Sequence, residues 1–516
     1  MAETAARTVL DLLAAAVPTA PAILAPDRPP LDHAGLATLI ERTVARLNRL
    51  GIGRNDRVAI VLPTGPEMAA AFLATAAGAT AAPLNPAYRA EELEFYLGDL
   101  GAKALIVAEG DDGPAAMVAR RCGARVLRLR ILPGAAAGVF TLEPEAEADG
   151  AGSAARGPAE PDDTALVLHT SGTTSRPKIV PLSQANLAAS ARHIISALAL
   201  TPEDRCLSIM PLFHIHGLMA ATLAALGAGG SLFAPGPFNA LRFSAWLDEA
   251  KPSWYTAVPT MHQAILARVA RNPDALARAR LRLIRSSSAS LPPAVLRELE
   301  GAFRCPVIES YGMTEAAHQM TSNPLPPGER RPGSVGLAAG PLVRVMDEAG
   351  AFLPPGSAGE VVISGPNVTA GYERNPEANA KAFVEADGRR WFRTGDEGVI
   401  DAAGYLTLTG RLKEIINRGG EKVSPLEVDG VLSEHPAVAQ VVCFALRHDK
   451  LGEEVAAAVV LRDGASLDEP ALRAFAAERL ADFKVPRRIL FVPEIPKGAT
   501  GKLQRIGLAA RLGLEP

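Results

Sequence analysis

The ten residues His169 to Lys178, HTSGTTSRPK, gather small and hydroxylated side chains ahead of a proline and a lysine. Small side chains let backbone N–H groups converge on an anion. The hydroxyls of Thr170, Ser171, Thr173 and Thr174 add donors around Gly172, and Lys178 adds a positive charge. Such a loop is suited to holding phosphate, and a nucleoside triphosphate is the expected ligand. The spacing is not GxxxxGK[ST], because Gly172 stands six residues before Lys178 and no hydroxyl residue follows that lysine. A kinase or ATPase of the P-loop class is therefore disfavoured. A Ser/Thr/Gly run by itself is more often a solvated loop, so the reading depends on its company.

A second group, Glu309 to Glu315 (ESYGMTE), follows a predicted strand, and open α/β sheets bind ligands beyond the carboxyl ends of their strands. There Tyr311 offers a flat face to a purine, Thr314 a hydroxyl, and Glu315 a hard oxygen for Mg²⁺ beside phosphates. Taken alone, the segment also reads as a strand-to-helix turn capped by Thr314. Between Thr394 and Pro425 come TGD, GRLKE and NRGGEKVSP. Asp396 could accept from two ribose hydroxyls and Arg411 could donate to ribose or phosphate. Gly419-Gly420 permits a tight turn beside another backbone or a thin ligand. The plain alternative is two hairpins, with Lys413 and Lys422 as solvated charges. Pro496 to Lys502, PKGATGK, reads alone as a basic segment near the C-terminus.

The elements that must position these groups follow from the apolar pattern. At 516 residues, 48% hydrophobic and 21% charged, the chain reads as a globular protein of two or more domains. Strands are predicted over Arg57–Leu62, Ala104–Val107, Arg205–Ile209, Trp254–Val258, Leu281–Ile284 and Val307–Ser310. Helices are predicted over Glu67–Ala77, Gln184–Leu198, Leu241–Ala250 and Ala294–Ala302. Strand-then-helix order argues for largely parallel sheets with helices on both faces. From Gly333 to Thr409 short β-like pieces with Gly/Pro turns suggest a β-rich subdomain. Gly134 to Asp163 reads as an exposed connection. A net charge of −3 gives no general attraction to nucleic acid or anionic membrane. Cys122, Cys206, Cys305 and Cys443 lack close pairing and zinc spacing, which fits reduced thiols and a cytoplasmic location. No apolar run suggests membrane insertion or a cleaved leader.

In this order, HTSGTTSRPK, YGMTE, TGD, GRLKEIINRGGEK and PKGATGK resemble the adenylate-forming superfamily of acyl-CoA synthetases, luciferases and nonribosomal adenylation domains. The resemblance covers almost the whole chain and departs at Ser175, where the family loop usually has glycine. It implies an α/β fold: a large domain, 1–410, of parallel α/β sheets plus the β-rich subdomain, and a small mobile α+β domain, 411–516. It also implies ATP, Mg²⁺ and coenzyme A as co-substrates and cofactor, and a small-molecule carboxylic acid as partner. Thr170, Ser171, Gly172, Thr173, Thr174 and Lys178 would hold the outer phosphates. Glu315 would carry the metal. Glu309, Ser310, Tyr311, Gly312 and Thr314 would surround adenine and α-phosphate, while Asp396 and Arg411 would grip the ribose. Lys502 matches the lysine of the adenylation step and Lys413 the hinge. Rotation would bring Gly419, Gly420 and Lys422 towards the pantetheine channel.

For the acid, PLFHIHGL (Pro211 to Leu218) puts two histidines on one side of an extended segment, and His214 matches the family's position near the acyl channel. Ser286 to Ser290 (SSSAS), following Arg285, and His318 add polar groups. A long alkyl chain would leave such groups unpaired, whereas a small acid with a second carboxylate suits them. SRPKIVPLSQANL, WYTAVPTMHQ, RSSSASL and MTEAAHQMTSNPLPPG resemble the oxalyl-CoA synthetases. Oxalate is the expected acid, held by His214, Ser288 and His318. Malonate is the alternative, ahead of medium-chain or aromatic acids. A phosphotransferase would release ADP rather than AMP, and a non-catalytic nucleotide binder would have less reason to retain Lys178, Glu315 and Lys502. Arg418, Lys484, Arg487 and Arg488 are expected as a basic rim for the phosphates of coenzyme A. Oligomeric state is left open.

Overall fold

The computed structural model describes residues 6–146, 155–170, 177–269, 272–496 and 503–514. Among these, seven strands form one sheet in the order Thr141–Pro144, Arg125–Arg130, Ala104–Ala108, Arg57–Val61, Thr80–Pro83, Thr164–Thr170, Lys178–Ser183. Its inner pairings are parallel and its two edges antiparallel. A second sheet of nine strands is centred on Trp254–Ala257, Leu283–Ser286 and Val307–Met313, all parallel. Continuous apolar runs such as RVAIV and ALIVA form its counterpart's central strands because both faces of those strands are covered.

The helix Pro66–Ala76 explains how the two sheets meet. Proline at its first turn starts it, and ten of its eleven residues are buried. A helix apolar all round belongs in an interior. One core joins its Ala70 and Phe72 to Ile60 and Ile106 of the first sheet and Leu232 and Trp254 of the second. Truncating Phe72 there would cost about 3–5 kcal/mol. By contrast, His33–Arg49 buries one face, with Leu36, Leu39, Ile40, Thr43, Val44 and Leu47 following His33 along it.

A third, antiparallel sheet runs from Leu342 to Arg411 and pairs Asp396 with Arg411 across Arg389–Ile400 and Leu406–Arg411. A fourth, from Ile416 to Phe491, carries the helices Pro425–Ser433 and Glu469–Ala477 with its own core of Val428, Leu432, Val455 and Leu472. The α/β class with a β-rich part and a smaller α+β part is therefore the observed one. Lys413 lies in the turn between the third and fourth sheets. The fourth sheet also meets helices of the second: Gln263 Nε2 donates to the Ala439 carbonyl at 3.1 Å and Arg462 pairs with Glu298 at 3.3 Å.

Two expectations are corrected. The connection Gly134–Asp163 contains an edge strand, Thr141–Pro144, whose Leu142 is buried with Phe140 and Ala137, because those apolar side chains close the end of the first sheet. The strand expected over Leu281–Ile284 is Leu283–Ser286, so it carries Arg285 and Ser286 inside the sheet. No described helix is long and apolar enough to cross a membrane.

Candidate active site

Three structural pieces converge beyond the carboxyl ends of Leu283–Ser286 and Val307–Met313. The first is the hairpin Thr164–Thr170/Lys178–Ser183, whose last pair is Thr170 opposite Lys178, so the two lie side by side at the mouth of the intervening loop. His169, one residue back, has Nε2 3.0 Å from Asp99 Oδ2, which ties the hairpin to the helix Ala90–Leu100. Ser171, Gly172, Thr173 and Thr174 lie outside the described residues, as does Lys502.

The second piece is Val307–Met313 with the short helix Thr314–Ala316. Strand alternation puts Glu309 and Tyr311 on one face. The Tyr311 hydroxyl donates to Asp396 Oδ2, and Arg411 Nε donates to the other Asp396 oxygen at 3.0 Å. Tyr311, Asp396 and Arg411, far apart in sequence, thus form one polar group. Ser310 is turned inward, its hydroxyl on Ser322 Oγ at 3.2 Å and its carbonyl accepting from Ser287 Oγ at 2.9 Å. Gly312 is required by contact: a Cβ there would lie 1.5 Å from the His318 carbonyl oxygen. Glu309 is buried beside a cavity of about 90 Å³ lined by Asn323 and Arg331, accepts from Gly333 N–H at 3.2 Å, and is pushed up to about 8 by burial. Glu315 is 5% exposed, with its carboxyl raised by burial, and accepts from the Tyr372 hydroxyl at 2.8 Å. Lys178 sits 4.2 Å from the centre of the same Tyr372 ring, and partial burial lowers its ammonium. Thr314 is half-buried at the start of the short helix.

The third piece is a buried polar cluster around Arg285, which is 0% exposed. Its guanidinium donates to His318 Nε2 at 3.1 Å and Gln319 Oε1 at 3.2 Å, with His216 Nε2 at 3.4 Å and Thr256 Oγ1 at 3.5 Å. The four partners are two imidazoles, an amide oxygen and a hydroxyl, and among the described residues no carboxylate pairs with it. Burial lowers it to about 9. His216 Nε2 lies 2.6 Å from Thr256 Oγ1 and its Nδ1 3.1 Å from Ser288 Oγ, and its ring stacks on His318 at 4.8 Å. With Nε2 accepting, Nδ1–H donates to Ser288, which directs the serine's own hydroxyl hydrogen elsewhere. Ser288, Ala317 and His318 all have positive φ (72°, 45° and 95°), a cluster of backbone strain of the kind found at ligand sites.

Of the three acid-contacting residues read from sequence, Ser288 and His318 join this cluster. The backbone around His214 is not the extended one expected: PLFHIHGL leads into a π-helix, His216–Leu223, and His214 packs on Phe213. His216 joins Ser288 and His318, with Thr256 and Gln319, which the sequence did not single out, and Arg285, which was noted near the pocket but given no contact with the acid. A buried arginine inside an apolar strand with no acidic residue nearby in sequence was the signal for Arg285.

In the fourth sheet Gly419 (φ 62°) and Gly420 (φ 98°) form the two-residue turn between Ile416–Arg418 and Glu421–Val423. Lys413 and Lys422 are exposed. The basic rim expected for coenzyme A is largely neutralised: Arg418 pairs with Glu454, Lys484 with Glu427 and Arg487 with Asp482.

A family model for "AMP-binding enzyme" matches residues 12–373, and one for "AMP-binding enzyme C-terminal domain" matches residues 427–502. The chain belongs to the AMP-binding enzyme family. This AMP-binding enzyme is an AMP-forming acid–CoA ligase that works on a carboxylic acid, ATP and coenzyme A. It is 47% identical to an oxalate–CoA ligase of Arabidopsis thaliana over 481 residues, 92% of each chain. It is 37% identical to a sulfoacetate–CoA ligase of Cupriavidus necator, covering 97% of this chain and 98% of that one. ATP-bound MatB from Rhodopseudomonas palustris has the same fold, with a TM-score of 0.86, 31% identity and 99% of each chain covered. The adenylate-forming likeness of the motifs is thereby confirmed.

Proposed function

We propose that this AMP-binding enzyme joins oxalate to coenzyme A, and that Arg285 receives the carboxylate that does not react. The observation that carries this reading is a fully buried guanidinium with no carboxylate partner among the described residues. Buried charges are normally paired, so the site is one negative charge short, and an acid with a second anionic group supplies it. An alkyl or aromatic tail would instead leave the cation uncompensated. His216 and His318 line the same cluster, and Ser288, whose hydroxyl hydrogen is directed away from His216, offers a hydrogen bond to a compact, oxygen-rich ligand.

The chemistry proceeds in two steps. A carboxylate oxygen of the acid attacks the α-phosphorus of ATP, the bond to the β-phosphate oxygen breaks, and pyrophosphate leaves. The thiolate of coenzyme A then attacks the carbonyl carbon of the adenylate, and AMP leaves. Thr170 and Lys178, with Ser171, Gly172, Thr173 and Thr174, hold the outer phosphates. Asp396 accepts from the ribose hydroxyls while Arg411 and Tyr311 hold Asp396 in place. Glu309, Ser310, Gly312 and Thr314 frame the adenine and α-phosphate. Lys502 neutralises charge that builds on the reacting oxygens. No cluster of three or more acidic, histidine or cysteine ligands exists among the described residues. A single buried carboxylate, Glu315, suits Mg²⁺, which keeps several waters and takes phosphate oxygens as its other ligands. When bound, that ion would neutralise charge on the outer phosphates. The domain boundary lies at Gly410/Arg411, with Lys413 as hinge and Gly419, Gly420 and Lys422 moving towards the thiol channel in the second step. A cytoplasmic location belongs to the same reading, supported by four free cysteines.

The test is the ratio of kcat/KM across oxalate, malonate, sulfoacetate, acetate, hexanoate and cinnamate, read as acyl-CoA formed. Preference for oxalate is expected. Preference for sulfoacetate or malonate would keep the anion-receiving role of Arg285 and discard oxalate, and preference for hexanoate or cinnamate would discard both.

A further inference from the structure

Tyr372 lies in none of the motifs above, yet it touches the two charged groups that flank the phosphate site. Its hydroxyl donates to Glu315 Oε1 at 2.8 Å, and its ring centre lies 4.2 Å from Lys178 Nζ. Among the described residues Lys178 and Glu315 form no ion pair with each other, although each feels the other's charge. An ammonium close to a buried carboxylate would ordinarily close on it. Here the aromatic face holds the cation, and the phenol occupies one of the two carboxylate oxygens.

The segment that carries Tyr372 is itself fixed from both sides. Thr369 N–H donates to the Glu315 carbonyl at 2.7 Å and Thr369 Oγ1 to the Pro181 carbonyl at 2.7 Å. Glu373 N–H donates to the Ile179 carbonyl at 3.1 Å. Asn379 holds the backbone of Tyr372 through both its amide groups, at 2.7 and 2.8 Å. Residues 369–373 thus bind the edge strand that begins at Lys178 to the loop that carries Glu315. The ring is buried against Phe392 at 6.3 Å and has little room to turn.

We infer that Tyr372 is a positioning residue of the ATP-consuming half-reaction: it keeps Lys178 and Glu315 apart and fixes the carboxylate with one oxygen left for the metal-bound triphosphate. The inference rests on the reading of this site as the MgATP site. AMP lacks the two outer phosphates, so its binding does not depend on this arrangement.

The experiment is calorimetric titration of the full-length chain with MgATP and, separately, with AMP, for the wild type, Tyr372→Phe and Tyr372→Leu. Acid-dependent pyrophosphate exchange is run in parallel. Phe keeps the ring and loses the hydroxyl, and a hydrogen bond to a charged group is worth about a tenfold change or more in binding. The expected result is about a tenfold weaker MgATP affinity for Phe, a larger loss for Leu, and AMP affinity within about twofold of wild type for both. Unchanged MgATP affinity in Tyr372→Phe would overturn the inference. Equal weakening of MgATP and AMP would overturn it too, since that is the signature of a structural role. If the wild type binds MgATP but exchanges pyrophosphate with no acid, the ligase reading fails, while the titrations still decide the role of Tyr372.

Discussion

Replacing Arg285 with methionine removes the buried cation and keeps most of its volume. With burial lowering the guanidinium to about 9 from an ordinary 12.5, the charged form carries a penalty of at most about 5 kcal/mol in the empty protein. Methionine abolishes that penalty but leaves His318 Nε2 and Gln319 Oε1 without their donor, at a cost of about 1–3 kcal/mol each. The two effects nearly cancel, so the melting temperature of Arg285→Met should shift by only a few degrees. The loss for the substrate is of another size. Two charge-assisted hydrogen bonds in a buried site are worth about 1.5–3 kcal/mol each, so kcat/KM for oxalate should fall by roughly 100- to 10,000-fold. The KM for ATP should stay within about threefold of the wild type, because Arg285 reaches none of Lys178, Asp396 or Arg411. The assay is coupled AMP release with oxalate varied at saturating ATP and coenzyme A, then with ATP varied. A rise in the oxalate and ATP requirements by the same factor would refute the assignment, and so would an oxalate KM that does not move.

Three other outcomes follow from the same geometry. Asp396→Asn weakens the contacts from Tyr311 and Arg411 together and should raise the KM for ATP about 10- to 100-fold with little change in the KM for the acid, as initial-rate kinetics would show. Glu309 is raised to about 8 from an ordinary 4.5, so its contribution to stability is fully present below pH 4.5 and is lost as pH rises towards 8. Glu309→Gln should therefore flatten the decline in melting temperature between pH 5 and pH 8.5, the recovered stability at the upper end being at most about 5 kcal/mol. Gly312→Ala places a Cβ 1.5 Å from the His318 carbonyl oxygen and should lose acid selectivity along with several kcal/mol of stability, on the order of 3, measured by chemical denaturation.

Sequence reading located the parallel strands well where apolar runs are continuous, as at Arg57–Val61 and Ala104–Ala108, because burial on both faces leaves a strong local mark. It stopped the Leu283–Ser286 strand early because Arg285 and Ser286 are polar. Arg285 is accommodated inside the sheet because His318 and Gln319 accept from its guanidinium. The pairing of Asp396 with Arg411 could be anticipated from their hairpin-like spacing, whereas Tyr311 joining them across 85 residues could not. His214 and His216 were expected on one side of an extended segment, and the π-helix that begins at His216 replaces that backbone. Tyr372 gave no sign at all, since its importance comes only from what the fold packs against its two faces.

The most direct test of the central claim is the fate of oxygen from the acid. Oxalate labelled with ¹⁸O, incubated with the chain, MgATP and coenzyme A, should yield AMP carrying one labelled oxygen, oxalyl-CoA that keeps the other labelled oxygens, and unlabelled pyrophosphate, all read by mass spectrometry. AMP without label, or ADP in place of AMP, would contradict attack of the carboxylate on the α-phosphorus and with it the adenylate on which the account depends.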